Sequence, residues 1–89
     1  MDPTPTPEIE SLLAGTYYKG RYDTAIGEIQ GYLFAHPLAA DRNLARFFLA
    51  RSLYETGRYK EARDWFVNVR ADFPRESEHW IRLCVAKSP

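Results

Sequence analysis

The stretch NLARFFLARSLYETGRYKEARDWFVNVRADFP, residues 43–74, predicts two amphipathic helices that meet at Gly57. Apolar residues recur at spacings of three and four on both sides of this glycine, which is the spacing of one helix face. Because glycine ends helices and the connection is short, we expect an antiparallel helical hairpin. The residues of the two faces are Leu49, Ala50 and Leu53 before the glycine, and Ala62, Phe66 and Val69 after it.

Two helices are predicted upstream of this hairpin. The first starts near Glu8, since Pro7 suits a first helical turn, and its apolar face extends from Ile9 to Thr16. Gly20 supplies the turn that follows. The second helix covers residues 22–34 and ends before Pro37, because the residue before a proline disfavours the helical conformation.

Three further helices are predicted, two in the hairpin itself and one downstream of it. Asp41 is the expected N-cap of a third helix that runs to about Thr56, and the fourth helix covers residues 59–72. Pro74 is expected to end the fourth helix, and Ser77 to cap a fifth that ends at 88–89. With five helices and no pattern typical of a strand, we predict an all-α fold.

Length and composition describe one small domain. The chain has 89 residues, and its twelve basic and twelve acidic residues give a formal net charge of zero, so no long-range field attracts nucleic acid or anionic lipid. Aromatic residues make up 15% of the chain. Each buried aromatic side chain removes about 150–250 Å² from water, so a core can form without disulfides.

The cellular location is predicted from cysteine use and hydropathy. Cys84 is the single cysteine, which excludes an intrachain disulfide and is typical of a reducing compartment. No stretch approaches the roughly 18 apolar residues of a membrane span, and MDPTPTPE lacks the charged and apolar regions of a signal peptide. We expect a cytoplasmic location without membrane insertion, with a fragment of a periplasmic protein as the alternative.

Residues 1–7 differ in character from the rest of the chain. Proline and threonine alternate there, which favours extended backbone with few contacts. We predict a flexible tail or linker over 1–7 and a single domain over 8–89.

An internal repeat becomes visible when the two turn glycines are aligned. Turn, core and helix-breaking positions are all separated by 37 residues. An offset shared by three kinds of position indicates one helical hairpin used twice. The pairs are Gly20 and Gly57, Tyr22 and Tyr59, Ala25 and Ala62, Ile29 and Phe66, and Pro37 and Pro74.

The second unit resembles the tetratricopeptide repeat (TPR) family, a helix–turn–helix of 34 residues with the pattern W-x₂-L-G-x₂-Y, then A-x₃-F, then P. The longer spacing in this chain is similar to that of bacterial envelope-associated members of the family. Matching positions are Leu49 and Ala50 for L-G, Ala62 and Phe66 for A-x₃-F, and Pro74; Arg46 and Leu53 replace the Trp and Tyr of the pattern.

The resemblance implies a fold and its divisions. Antiparallel hairpins would stack as a short TPR-like right-handed superhelix, with two repeats plus a C-terminal helix. The units would cover about 6–39 and 43–76, followed by a half unit over 77–88. In that half unit the pattern restarts with Trp80, Leu83 and Cys84.

The resemblance also implies a ligand groove, because the first helix of each pair lines the concave surface of such arrays. Helical spacing agrees, since positions 47, 51 and 54 share a face different from that of 49, 50 and 53. For Phe47, packing against neighbouring helices is an equal alternative. The expected protein-binding residues are Tyr17, Tyr18, Phe47, Arg51, Tyr54 and Arg82, and further groove positions fall on Glu10, Ala14 and Glu55.

Two consequences concern the ligand and the end of the array. Family members that grip chaperone carboxyl termini carry Lys and Asn where this chain has Glu10 and Ala14, so such a clamp is not expected. Ile81 and Val85 lie off the packing stripe of the last helix, and they are the expected contacts with a second copy or a partner.

Three functions remain open from the sequence. The first is an adaptor that binds a peptide or amphipathic helix of a partner protein, with aromatic side chains as anchors. The alternative is a homo-oligomerisation module, with a dimer as the expected form. An RNA-binding helical repeat is the weakest, because Asp and Glu interleave with the arginines.

Enzymatic activity is not expected. His36 and His79 lack Cys or carboxylate neighbours at the spacing of metal ligands. Cys84 occupies a packing position rather than one beside a base. We therefore predict no catalytic residues, no metal site and no cofactor.

Overall fold

A computed structural model of the chain describes residues 2–88, which form five α-helices and one turn of 3₁₀ helix. The described residues contain no strand, so the all-α class is confirmed. Met1 of the predicted tail and Pro89 of the predicted domain lie outside the described residues. The elements are α1 (Pro7–Ala14), the 3₁₀ helix (Tyr17–Lys19), α2 (Tyr22–Ala35), α3 (Arg42–Glu55), α4 (Tyr59–Asn68) and α5 (Pro74–Lys87).

Helices that follow one another in the chain pack side by side. Extensive contacts join α2 to α3, α3 to α4 and α4 to α5, whereas α1 contacts α2 over a smaller area. The short connection over 56–58 requires the chain to reverse direction between α3 and α4. Between residues 2 and 88, no helix combines the length and apolar character needed to span a membrane.

Helix α3 lies at the centre of this packing. Between Leu44 and Leu53 every residue except Arg46 is buried. Phe47 has no exposed surface and makes edge-to-face contacts with Phe66 and Phe73, at ring-centroid distances of 5.3 and 5.6 Å. A helix that is buried on almost every side must be enclosed by other elements: α2 and α4 pack along it, and Tyr17 of the 3₁₀ helix and Trp80 of α5 contact its aromatic side chains.

The turns at Gly20 and Gly57 have the same geometry. Their φ angles are 75° and 82°, in the left-handed region that glycine adopts without steric cost. The residue after each glycine donates its backbone N–H to a carbonyl five residues earlier, a bond that closes the end of the preceding helix. These bonds run from Arg21 to Thr16 and from Arg58 to Leu53, both at 2.9 Å.

A pair of tyrosines brackets each of these turns in the same way. Tyr17 and Tyr22 meet edge to face at 5.4 Å, and Tyr54 and Tyr59 do so at 5.2 Å. Each pair joins the end of one helix to the start of the next. The two turns therefore share backbone conformation, hydrogen bonding and aromatic packing.

The first helix is shorter than its apolar spacing predicts. It ends at Ala14, and Thr16 adopts φ −131° and ψ −80°, which breaks the helix before the 3₁₀ turn. The buried hydroxyl of Thr16 donates to the carbonyl of Leu12 at 2.9 Å. The change of direction at this residue places Tyr17 against Phe48 of α3, at 5.8 Å.

The boundary between α4 and α5 also differs from the prediction. Helix α4 ends at Asn68, before the predicted end at residue 72, and Pro74 is the first residue of α5. Proline is compatible with this position because the N–H that it lacks would have no helical acceptor there. Ser77, the predicted cap, lies inside α5 and is fully buried.

Asp41 precedes α3 as predicted, but its carboxylate does not cap that helix. Instead it accepts hydrogen bonds from the Tyr32 hydroxyl at 2.6 Å and the Thr6 hydroxyl at 2.7 Å. These bonds lower the pKa of Asp41, and the bond to Tyr32 is the larger cause. The same bond raises the pKa of Tyr32 to about 12. The cluster joins the residues before α1 and α3 to the last turn of α2.

Replacing a glycine by alanine should change the stability in opposite directions at the turn and within a helix. No atom lies within 4 Å of an added Cβ at Gly57 or at Gly31 in α2, so only the backbone decides the outcome. Gly57→Ala should lower the free energy of unfolding by about 1–2 kcal/mol, because φ is positive there. Gly31→Ala, the matched control, should raise it by about 0.5–1 kcal/mol. Urea denaturation of both variants measures the difference, and equal effects would contradict the explanation.

The Asp41 cluster predicts two pH-dependent losses of stability. A lowered carboxyl pKa stabilises the fold above the unfolded value of about 3.9, and that contribution is lost as pH falls through the folded pKa. The raised pKa of Tyr32 stabilises the fold below about pH 10, and that contribution is lost as pH rises towards about 12.

Tyr32→Phe should flatten both slopes of unfolding free energy against pH, since it removes the shared hydrogen bond. Tyr22→Phe is the control, because Tyr22 packs through its ring. Denaturant titrations across the pH range measure the slopes. A Tyr32→Phe profile identical to that of the unaltered chain would show that the cluster does not contribute.

Candidate functional site

Arg51 is a buried cation stacked on an aromatic ring. Its side chain is 10% exposed, and its guanidinium carbon lies 3.6 Å from the centroid of the Trp80 ring on α5. The same carbon lies 5.6 Å from the ring of Tyr17 in the 3₁₀ helix. Guanidinium groups are attracted to aromatic faces at these distances, and burial strengthens the attraction. We call Asp2, Tyr17, Arg51, Tyr54, Glu55 and Trp80 together the Arg51 site.

The carboxylate of Asp2 is bound at this site. Arg51 Nε donates to its two oxygens at 3.1 and 3.3 Å, and Trp80 Nε1 donates to one of them at 3.0 Å. The sequence predicts a tail with few contacts at residues 1–7, whereas the structure connects residue 2 to α3 and α5. Asp2 therefore supplies the negative charge that a buried guanidinium requires.

Glu55 is a second acidic group beside Arg51. It lies one helical turn further along α3, with Oε2 at 3.7 Å from Arg51 Nη1. That distance allows an ion pair but is longer than a hydrogen bond. Within residues 2–88, the buried Nη1 has no hydrogen-bond acceptor. The guanidinium thus retains a donor that none of the described residues satisfies.

Aromatic side chains form the rim of the site and extend into the core. Trp80 meets Tyr54 edge to face at 5.1 Å and stacks on Phe66 at 6.2 Å with 14° between the rings. Burial raises the pKa of the Tyr17 hydroxyl, an effect that the nearby Arg51 opposes. Tyr17 is therefore neutral at physiological pH, and the aromatic rings of the rim are only partly buried.

Three of the six predicted binding residues meet at the Arg51 site, namely Tyr17, Arg51 and Tyr54. Tyr18 is next to it: the residue is 52% exposed, its ring lies 5.8 Å from Tyr17, and its hydroxyl donates to Glu10 at 3.1 Å. Burial, followed by this hydrogen bond, raises the pKa of Tyr18.

The other two predicted binding residues lie elsewhere. Phe47 is enclosed in the core, so the structure has it packed against neighbouring helices and leaves none of it accessible to a ligand. Arg82 is exposed on α5, where it lines a shallow surface depression separate from the Arg51 site. The other residues of that depression are Pro74, Arg75, Glu78 and His79.

Asp2 and Trp80 are the site residues that sequence reasoning did not assign. Trp80 was predicted to pack, and it does. In addition, its indole N–H donates to Asp2 and its ring face contacts the Arg51 guanidinium. No periodic pattern points to Asp2. The available signal was indirect, because an arginine within an otherwise apolar helix needs an acidic partner from another part of the chain.

The predicted oligomer contacts have unequal exposure. Val85 is 55% exposed on α5, whereas Ile81 is partly buried and packs against the core. More exposed apolar side chains occur at the end of α2 and in the connection after it, at Phe34 and Leu38, which are 81% and 91% exposed. Sequence reasoning did not single out these two residues.

The described part of the chain offers no metal site and no exposed thiol. No group of three His, Cys, Asp or Glu side chains within residues 2–88 is arranged to hold a metal ion. Cys84 is fully buried, and burial raises the pKa of its thiol to about 11. A second shallow depression lies at the turn between α3 and α4, with charged and polar lining. It includes Gly57, Arg58, Tyr59, Lys60, Glu61, Arg63 and Ser88.

Comparison of the chain with protein-family models, curated proteins and solved structures finds no match.

The burial of the Asp2–Arg51 pair predicts the result of a double-mutant cycle. Asp2→Asn, Arg51→Met and the double variant should show a coupling energy of about 1–2 kcal/mol, because hydrogen bonds to charged groups strengthen when they are partly buried.

The pair Arg58–Glu61 is the control, with two bonds of 2.9 Å on the exposed surface. Its coupling should be smaller despite better geometry, since solvent screens it. Unfolding free energies from urea titrations give both cycles. A larger coupling at Arg58–Glu61 would contradict the argument.

Proposed function

We propose that the five helices form a short TPR-like array of two helical hairpins followed by a half unit. The equal geometry of the turns at Gly20 and Gly57 supports this proposal, as do the matching tyrosine pairs around them. Their separation of 37 residues is the offset of the sequence repeat. In such an array, α1, α3 and α5 face the concave side of a right-handed superhelix. Since α3 is buried over most of its length, it would contribute to that surface at its end, where Tyr54 and Glu55 are accessible.

The function that we propose is a non-enzymatic protein-interaction module, an adaptor that binds a segment of a partner protein at the Arg51 site. The observation that carries the proposal is the half-buried rim of Tyr17, Tyr54 and Trp80 around one buried guanidinium. Rigid aromatic anchors with a central arginine are the side chains that dominate binding energy at protein interfaces.

Charge favours a protein partner over nucleic acid. Binding of a phosphate backbone requires several accessible cations, and each contact releases counterions. At this site the single arginine is buried and already faces Asp2 and Glu55. A protein segment can use the aromatic rim, which does not depend on net charge.

Peptide selection tests the module. From a library of random peptides presented to the unaltered protein, binders should emerge whose affinity falls about tenfold or more on Tyr54→Ala, because that change removes an anchor of the rim. Phe34→Ala is the matched control, since Phe34 is an exposed aromatic residue away from the site. Circular dichroism of each variant confirms that the helices are retained.

Two results would contradict the proposed function. One is the absence of any selected peptide, and the other is selection of peptides that respond to Phe34→Ala rather than to Tyr54→Ala. Analytical sedimentation of the same samples tests the oligomerisation alternative. A dimer lost on Val85→Glu or Tyr54→Ala would favour an assembly module over an adaptor.

A further inference from the structure

Residues 2–6 connect the Arg51 site to the start of α1, with Asp2 bound at the site and Thr6 bound to Asp41. Thr6 has φ −69° and ψ 163°, which is polyproline II geometry. Pro3 and Pro5 are half-buried, whereas Thr4 between them is exposed. This alternation is typical of an extended chain that rests one side on a surface. Asp2 therefore occupies the polar centre of the site, at the end of a segment that the rest of the protein partly covers.

We propose that residues 2–6 are an internal competitor, and that the Arg51 site binds an extended, proline-containing segment of a partner that presents an aspartate or glutamate. The inference rests on the proposed function and specifies its ligand. The partner carboxylate replaces that of Asp2 on Arg51 Nε and Trp80 Nε1.

The donors of the site define the chemistry of this ligand. Two N–H groups, one from Arg51 and one from Trp80, converge on a single carboxylate, which is the acceptor best suited to a guanidinium. Arg51 Nη1 is a further buried donor without an acceptor among the described residues. The polar centre of the site is therefore built for an anionic oxygen group, and the aromatic rim receives apolar neighbours such as proline.

The attachment of residues 2–5 is light enough to be exchanged. Across the described chain, no backbone–backbone hydrogen bond joins these four residues to the helices. Their side-chain hydrogen bonds all involve the carboxylate of Asp2, which is 29% exposed. By contrast, Thr6 is fixed by its bond to Asp41 and by the start of α1. The segment can thus leave the site without disturbing a helix.

Competition of this kind sets the apparent affinity for a partner. A ligand binds only the fraction of molecules in which the site is open, so a segment that fills nine sites in ten weakens the apparent affinity about tenfold. Short tethers hold such segments at effective concentrations of about millimolar, which makes even a weak contact competitive.

The test uses the chain's own segment as the probe, in the form of acetyl-DPTPTPE-amide carrying a fluorophore. Fluorescence anisotropy and NMR of the Trp80 indole N–H resonance follow binding up to millimolar peptide. We expect the full chain with Asp2→Asn to bind the peptide about tenfold more tightly than the unaltered chain, because its own segment competes less well. The same chain with Arg51→Met added should lose binding.

Matched controls separate the carboxylate from net charge. The peptide acetyl-NPTPTPE-amide should bind about tenfold more weakly than the parent, whereas acetyl-DPTPTPQ-amide, which loses the other acidic residue, should bind equally well. In the chain, Glu8→Gln should leave peptide affinity unchanged, since Glu8 is exposed and outside the site.

Several outcomes would overturn the inference. These are no shift of the Trp80 resonance of the Asp2→Asn chain at millimolar peptide, equal binding by the unaltered and Asp2→Asn chains, and equal binding of the Asn and Asp peptides. A dimer that is lost on Asp2→Asn would also overturn it, because the segment would then bridge two copies.

Failure of the inference is distinguishable from failure of the proposed function. If library peptides that lack acidic residues bind in a way that depends on Tyr54, the proposed interaction module stands and the proposed acidic ligand is wrong.

Discussion

The enclosure of α3 is the constraint on which the rest of the structure depends. A helix buried from Leu44 to Leu53 must have neighbours on nearly every side, and this requirement determines where α2, α4, α5 and the 3₁₀ helix lie. It also places one arginine inside the protein. Because a guanidinium cannot be buried without compensation, Arg51 must find a ring face and carboxylates within reach. Trp80, Asp2 and Glu55 meet that need.

The break at Thr16 shows how the first hairpin adapts to this centre. A longer first helix would carry the chain past α3, whereas the 3₁₀ turn directs Tyr17 against Phe48 and towards Arg51. The turn at Gly57 needs no such adjustment, since α3 continues to Glu55 before it. A glycine with a positive φ angle thus follows a short 3₁₀ helix in the first turn and a full α-helix in the second. In the first hairpin, one face of Tyr17 becomes part of the site.

Periodicity predicted the helices well where one face is apolar and the other polar. It placed α2 within a residue of its end, and it gave Leu49, Ala50 and Leu53 as buried residues of α3. It could not separate groove from core at Phe47, because α3 is apolar around most of its circumference. The start of α5 was missed for a local reason: Pro74 is compatible both with ending one helix and with starting the next, and tertiary packing decides between them.

Binding residues could be predicted only where they lie on a predicted helix face or at a position of the family pattern. Tyr17, Arg51 and Tyr54, which were predicted in this way, lie together in the structure, whereas Asp2 was not predicted, since it is 49 residues from Arg51 and 78 from Trp80. Pairings over such separations depend on how helices are arranged in space, and a single sequence carries no periodic trace of them. The same holds for Asp41. Its residue type indicated a helix cap, but its carboxylate accepts hydrogen bonds from the hydroxyls of Tyr32 and Thr6.

The reactivity of the Cys84 thiol depends on the folded state, because the fold buries the side chain completely. Its thiol lies on α5, four residues after Trp80, without contact with solvent and with its pKa raised to about 11, so the reactive thiolate is absent while the helix is in place. Oxidants and alkylating agents can reach a fully buried sulfur only when the packing around it opens. A sulfur oxidised in that state carries polar oxygen atoms that the apolar core cannot accept. Oxidative damage would therefore convert a transient opening of the domain into a permanent one, at a rate set by how often the packing around Cys84 opens.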